Sequence, residues 1–369
     1  MFGLALRNLF RSRLRNLLTF IGVAAGMSVL MASVSVTSNF RNQLDEIIAD
    51  TGSDVMIQSR TATTPMTSRI SAADLQKISA LDSIKSTSSV IMGFLQTSWA
   101  PYFLILGVSS AESLASRVSL LEGEWFSPQK QEMVLGYLGA AELGYSTGNK
   151  MVLNDRNMFT ITGLFSFGYP MADGAALMDL STAKKLLNRD NSVNMILTEI
   201  SPATDPYQAI QELNSLFPHL YASTGKDFVG EIRFFDSVEL FTWILSTVSF
   251  LTCCLVVMNT LIMSISERIK ELGILMAIGW SRLMIYRTIL YESLILCLAG
   301  TIAGAAAAGV SLSVLQGSRT LGLGLIPAGI SWNLAILSCG LALLLGVVSS
   351  LYPALIINRV TPAGALRYE

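Results

Sequence analysis

Charge is scarce in this 369-residue sequence. Asp, Glu, Lys and Arg make up 14% of it, against 51% hydrophobic residues and a mean hydropathy of +0.53. That balance excludes an ordinary water-soluble enzyme, whose charged share runs to about a quarter. Histidine is almost missing, with His219 alone. Beside Pro218 it reads as a loop residue, and one imidazole leaves metal sites and Ser/His/Asp constellations poorly supplied. Cysteine is limited to Cys253, Cys254, Cys297 and Cys339, all in strongly apolar stretches. The polar part of the chain therefore has no disulfide framework and no thiolate metal site, and the four thiols read as small apolar residues. A phosphate-cradling G-x-x-x-x-G-K-[ST] loop is also missing. The segment from Gly144 to Lys150, G-Y-S-T-G-N-K, has the wrong spacing, and its Gly148 and Asn149 read as a turn. No catalytic residue and no metal ligand is assigned, and nothing marks a nucleic-acid partner.

What is present is unevenly placed. Uncharged runs of 25 residues between Arg15 and Arg41, 27 between Glu239 and Glu267, 26 between Glu292 and Arg319, and 39 between Arg319 and Arg359 interrupt the chain. Each exceeds the ~20 residues that a helix needs to cross a hydrocarbon layer of roughly 30 Å. They predict four membrane spans near residues 17–36, 241–264, 293–315 and 333–357. Lipid offers no partner to backbone N–H and C=O groups, so the spans must be helices. Arg7, Arg11, Arg13 and Arg15 precede the first span, Arg268, Lys270, Arg282 and Arg287 lie between the second and third, and Arg359 and Arg367 follow the fourth. An even number of crossings puts all these on one side, which the positive-inside rule makes the cytoplasm. Residues 41–239, with 14 basic and 22 acidic side chains and a net of −8, then lie outside. The first apolar run is longer than a signal-peptide core and no A-x-A pattern follows it, so it reads as a signal anchor.

The fold class expected is a polytopic α-helical membrane protein of four transmembrane helices, with a large α+β extracytoplasmic domain inserted between the first and second. Its parts are a cytoplasmic amphipathic helix (1–16), first span and stalk (17–40), outer domain (41–239), second span (240–264), cytoplasmic loop (265–287), third span (288–315), external loop (316–332), fourth span (333–357) and cytoplasmic tail (358–369). Phe40, Leu44, Ile47 and Ile48 recur at helical spacing and extend the first helix outward, and residues 236–243 lead into the second. In the outer domain, residues 54–58 and 103–108 read as strands and 72–78 and 181–187 as helices. Residues 152–167 read as a hairpin turning at Asn154-Asp155, and 59–68, rich in Ser and Thr, as a flexible loop. Two subdomains are expected.

The loop between the second and third spans, I-S-E-R-I-K-E-L-G-I-L-M-A-I-G-W-S-R (265–282), carries most information. Glu267 and Glu271 stand four apart, on one face of a helix, while Leu272, Leu275 and Met276 mark an apolar face. Gly279 can end that helix and Ser281 can cap the next near Leu283. By periodicity alone this is a short amphipathic helix on the cytoplasmic surface, no more than a connector. Gly300, Gly304 and Ala308, four apart in the third span, permit close helix approach. Glu292 reads as a structural acid near the headgroups paired with a basic neighbour, and Asn259 as an interhelical hydrogen-bonding residue. Residues 321–330, with Pro327, form an apolar external segment.

The pattern E-R-x-x-E-x-G-x-L-x-A-x-G, here Glu267, Arg268, Glu271, Gly273, Leu275, Ala277 and Gly279, resembles the signature loop of the MacB/LolC/FtsX superfamily of ABC transporter permeases. The start, L-A-L-R-N-L-F-R-S-R-L-R-N-L-L-T, is similar to the amphipathic amino-terminal helix of these permeases. The end matches their tail at Pro353, Ala354, Pro362, Ala365, Leu366 and Arg367, with Ile357 where alanine is frequent. Residues 134–150 and 163–168 with Asp173 resemble outer-domain segments of the family, the latter in its lipoprotein-releasing branch. One span before a large outer domain and three after it is also the family's layout. The resemblance implies a non-enzymatic permease subunit that pairs with a second permease, identical or homologous, and docks through Glu267, Arg268 and Glu271 on an ABC ATPase subunit dimer. No cofactor is then bound by this chain, and ATP and Mg belong to the partner ATPase. Membrane lipid, and a periplasmic adaptor or lipoprotein acceptor, complete the implied partners. The implied work is mechanical extrusion or extraction of amphiphilic cargo, a lipoprotein, lipid, drug or peptide, at the outer face of the inner membrane, through a lateral opening between the first and second spans of paired subunits. The alternative is an FtsX-like regulator that transmits ATPase cycles to a cell-wall hydrolase.

Overall fold

The computed structural model describes residues 13–97, 102–109, 118–154, 157–316 and 329–359. The amino-terminal segment through Ser12, residues 317–328, which were expected to form an external loop, and the tail residues Pro362, Ala365, Leu366 and Arg367 lie outside the described residues. Two compact units form, one from the apolar helices and one from the stretch between the first two of them.

The helices are α1 (Arg13–Asp50), α2 (Arg233–Glu267), the short α3 (Ile269–Ala277), α4 (Arg282–Gln316) and α5 (Trp332–Arg359); the helical unit takes α1 as far as Thr37 and α2 from Leu240 onward, and the parts of both helices beyond those points, with Phe40, Leu44 and Ile48, belong to the other unit. The first, second, fourth and fifth are long and apolar enough to cross a membrane. In lipid the hydrophobic effect does not drive helices together, so close packing and polar contacts must do so. Small residues and hydroxyls supply both. Thr19 and Thr260 share a hydrogen bond of 2.5 Å and Thr37 and Thr242 one of 2.8 Å, pinning α1 to α2 at two levels. Gly300 and Gly304 of α4 lie against α1: a Cβ on Gly304 would stand 2.7 Å from the Ala24 carbonyl oxygen, and one on Gly300 2.7 Å from Val23 Cγ1. Ala308 continues the stripe, fully buried beside Leu30 and Met31. The Ser293 hydroxyl donates to the Gly346 carbonyl at 2.9 Å and ties α4 to α5. Cys253 and Cys297 are buried in the shared core with Val23, Met27 and Leu345. Asn259, expected to bond between helices, is instead on the exposed side of α2.

In the other unit the strands are β1 (Val55–Ser59), β2 (Ile70–Ser71), β3 (Ile84–Leu95), β4 (Phe103–Val108), β5 (Ser119–Gly123), β6 (Glu132–Gly136), β7 (Lys150–Asn154), β8 (Asn157–Ser166), β9 (Ala176–Asp179), β10 (Ser192–Val193), β11 (Met195–Ile200) and β12 (Leu220–Thr224). One sheet runs β12-β1-β11-β3-β4-β9-β6-β8-β5, with β7 also on β8, while β2 and β10 form a ribbon of their own. The β4–β9 and β6–β8 pairs are parallel and the other pairings antiparallel. Side chains alternate across the pleat. Ile91, Phe103 and Ile105 point to one face, under the helix Leu180–Leu186, and Val55, Ile57 and Ile196 continue that face under Ala72–Ser79 and Pro206–Leu216. Val90, Val108, Met195 and Leu197 point to the other, toward Ile48 of α1 and the segment from Phe228 to Phe235.

Two expectations change here. The two subdomains are two core clusters on one face of a single continuous sheet, joined through the parallel β4–β9 pair (Ile105 opposite Ala176). The Ser/Thr-rich stretch 59–68 is not featureless: Pro65–Thr67 forms a 3₁₀ turn, and Ser68 accepts a hydrogen bond from the Ser59 amide at 2.8 Å. The hairpin forms, with Asn154 opposite Asn157 and residues 155–156 outside the described residues.

Candidate functional site

The loop 265–282 does not continue α2. Arg268, at φ −115° and ψ 15°, breaks the helix, and its carbonyl starts α3 by accepting from the Leu272 amide at 2.9 Å. Glu267 and Glu271 therefore sit on different helices, not on one face of a single helix. At the break the Arg268 side chain is only 8% exposed. It lines a cleft together with Ser264 of α2 and with Glu292 of α4, which is 4% exposed. Glu292, expected as a structural acid with a basic neighbour, is thus buried in the bundle at a cleft that Arg268 also lines.

Glu267 pairs differently. Its carboxylate accepts from Arg15 Nη1 at 2.5 Å with 61% of the Glu267 side chain exposed. An exposed pair of this kind contributes at most about 1 kcal/mol.

At its far end α3 closes with a Schellman motif. Gly279 takes φ 101°, the Trp280 amide donates to Leu275 O at 3.0 Å and the Gly279 amide to Met276 O at 3.1 Å. A left-handed residue is needed there, and glycine takes that conformation without a Cβ penalty. Ser281 then caps α4, its hydroxyl accepting from the Met284 amide at 3.3 Å. Gly273 is buried where α3 packs on the bundle, and Leu272, Met276 and Trp280 cover the core that includes Ile265, Ile285 and Ile289. A cleft of about 150 Å³ remains among Ser264, Arg268, Glu271, Thr288 and Glu292.

The outward side of α3 carries Lys270, Glu271 and Ala277, all exposed, together with Ile274 at 50% and Ile278 at 71% exposure. Glu271, Ile274 and Ile278 follow one another at i, i+3 and i+7 and make one stripe. The two isoleucines were missed as site residues. Their signal was present, since an amphipathic surface helix should have only one apolar stripe and this one has two. Leu275, expected on the apolar face, is half-buried. Of the tail residues, Pro353 is buried inside α5, where its ring removes a backbone donor. In the outer unit, Asp173 closes the turn after β8 by accepting from the Phe167 amide at 2.5 Å and the Ser166 hydroxyl at 3.2 Å. Its burial pushes the carboxyl above the ordinary aspartate range.

The MacB-like periplasmic core domain family matches residues 16–216, and the FtsX-like permease C-terminal family matches residues 243–362. An uncharacterized ABC transporter permease of Methanocaldococcus jannaschii is 22% identical over 99% of this chain and 97% of its own length. The macrolide export ATP-binding/permease protein MacB of Bdellovibrio bacteriovorus is 25% identical over 98% of this chain, which spans only 61% of that relative. The crystal structure of the periplasmic region of MacB from Actinobacillus actinomycetemcomitans aligns with 49% of this chain and 92% of its own at 12% identity and a TM-score of 0.38. With a periplasmic-type α+β core between the first two of four apolar helices and a permease region over the helices that follow, the chain belongs to the MacB/FtsX-like superfamily of ABC transporter permeases.

Proposed function

We propose that this chain is the permease subunit of an ABC complex in the cytoplasmic membrane, paired with a second permease and driven by ATP hydrolysis in a separate subunit. It extrudes or extracts amphiphilic cargo at the outer face of that membrane. The carrying observation is the exposed stripe Glu271, Ile274 and Ile278 on a helix whose other face, through Leu272 and Met276, packs on the bundle core. Exposed isoleucines on a surface helix favour a protein partner, and an acid at one end of the stripe gives it polarity. A helix packed on that core passes a push to it, so the site suits force transfer. The archaeal relative supports a separate ATPase, being named as a permease over the same length. The exposed Asn259 on α2 supports pairing, since a lone amide facing lipid is costly and a second subunit can satisfy it.

The test is Glu271→Lys. Reversing the charge in the stripe weakens co-purification of the ATPase by about tenfold or more, with the outer unit still folded. Undiminished co-purification sinks the docking assignment. A second reading, an FtsX-like regulator of a cell-wall hydrolase, is favoured by the FtsX-like match over 243–362. Native lipid, lipoprotein or drug retained through purification separates the two, because the regulator moves no cargo.

A further inference from the structure

The sheet face of the outer unit that bears Val90, Met92, Leu104 and Leu106 is not filled. Between it and Phe40, Leu44 and Ile48 of α1 lies a cavity of about 500 Å³. Core voids seldom exceed a water molecule, whereas ligand pockets run to about 300–1,000 Å³, so this is a pocket and not a packing defect.

Its chemistry excludes most ligands. No charged side chain lines it among the described residues, and its polar lining consists of Thr51, Thr64 and Thr67. These hydroxyls are already used: Thr51 Oγ1 donates to Ile48 O at 2.7 Å, Thr67 Oγ1 to Thr64 O at 2.8 Å, and Thr64 Oγ1 to Thr67 Oγ1 at 3.4 Å. A peptide strand, a sugar or a nucleotide would bury polar groups here without partners, at a cost of several hydrogen bonds. A hydrocarbon chain buries none. Four lining methionines, Met66, Met92, Met171 and Met195, suit chains of differing bend. Phe94 and Phe234 line the cavity yet remain 41% and 43% exposed, which places its mouth beside them and leaves a polar head in water.

We propose that this cavity binds one hydrocarbon tail of an amphiphile, with the head outside near Phe94 and Phe234. The inference rests on the proposed cargo class only for the source of the tail. It is tested on the full-length protein in lipid nanodiscs with palmitic acid carrying a photoactivatable diazirine at its methyl end, followed by peptide mapping. Peptides covering residues 40–51, 64–67 and 228–235 become labelled, and a butyric acid analogue with the same group leaves them unlabelled. Leu106→Trp, which fills the cavity from the sheet, reduces that labelling about tenfold while the membrane peptides stay labelled. The milder Met92→Phe gives an intermediate loss and Leu106→Ala none, so a folding defect in the Trp variant cannot imitate the result. Labelling confined to membrane peptides, labelling unmoved by Leu106→Trp, or equal labelling by the butyric analogue overturns the proposal. No ATPase is present in this experiment, so its failure leaves the Glu271 docking result standing, and loss of docking leaves the labelling result standing.

Discussion

Gly300, Gly304 and Ala308 bring no functional group to α4, and their role lies in the volume they leave free. The four-residue spacing was visible in the sequence and announced close helix approach. What it could not announce was the partner, because three other apolar runs were equally available. The structure assigns α1, with Gly304 against the Ala24 carbonyl and Met27. Gly304→Ala then forces a backbone shift and destabilises the helical unit by about 1–3 kcal/mol, the usual cost of overpacking. Gly340, with nothing within 4 Å of its position for a Cβ, provides the control. Thermal unfolding followed by reaction of the buried Cys253 and Cys297 thiols should give a lower midpoint for Gly304→Ala and an unchanged one for Gly340→Ala. Equal midpoints for both variants would remove the packing role.

At the scale of elements, α3 was partly legible. Gly279 and Ser281 named its end and the next beginning correctly, since capping is a local matter of φ and of one hydroxyl. The break at Arg268 was not legible, because no Gly or Pro marks it and Arg268 is buried at a cleft shared with Glu292, far along the chain on another helix. The same limit applies in the outer unit, where short strands were read from alternation but the parallel β4–β9 pairing that fuses them into one sheet has no local signal. The buried charges make a sharp prediction. Arg268→Ala takes the base out of the cleft that the buried Glu292 also lines, and leaving that carboxylate without it lowers stability by a few kcal/mol. Adding Glu292→Gln removes the stranded charge and restores at least half of the loss. Melting of the two single variants and the double variant in one detergent measures the coupling. Strictly additive losses would show that the two residues do not fasten α3 together.

For the molecule as a whole, the proposed function requires each part to lie on a particular side of the membrane. Four apolar helices fix only that the two ends of the helical series share a side. Orientation comes from the basic residues, ten of which flank the spans in short segments, against a net of −8 in residues 41–239. Trp243 and Trp332, 66% and 84% exposed, lie near the opposite ends of α2 and α5 from that basic cluster and suit an interfacial aromatic belt. Lys150 and Lys270 are both exposed and can report the arrangement when replaced singly by cysteine in a chain whose exposed Cys339 is changed to alanine. In intact cells a membrane-impermeant maleimide labels Lys150→Cys, while Lys270→Cys reacts only after the membrane is opened. The reverse pattern would put α3 outside, where no ATP is hydrolysed, and would leave Glu271, Ile274 and Ile278 without a motor to meet.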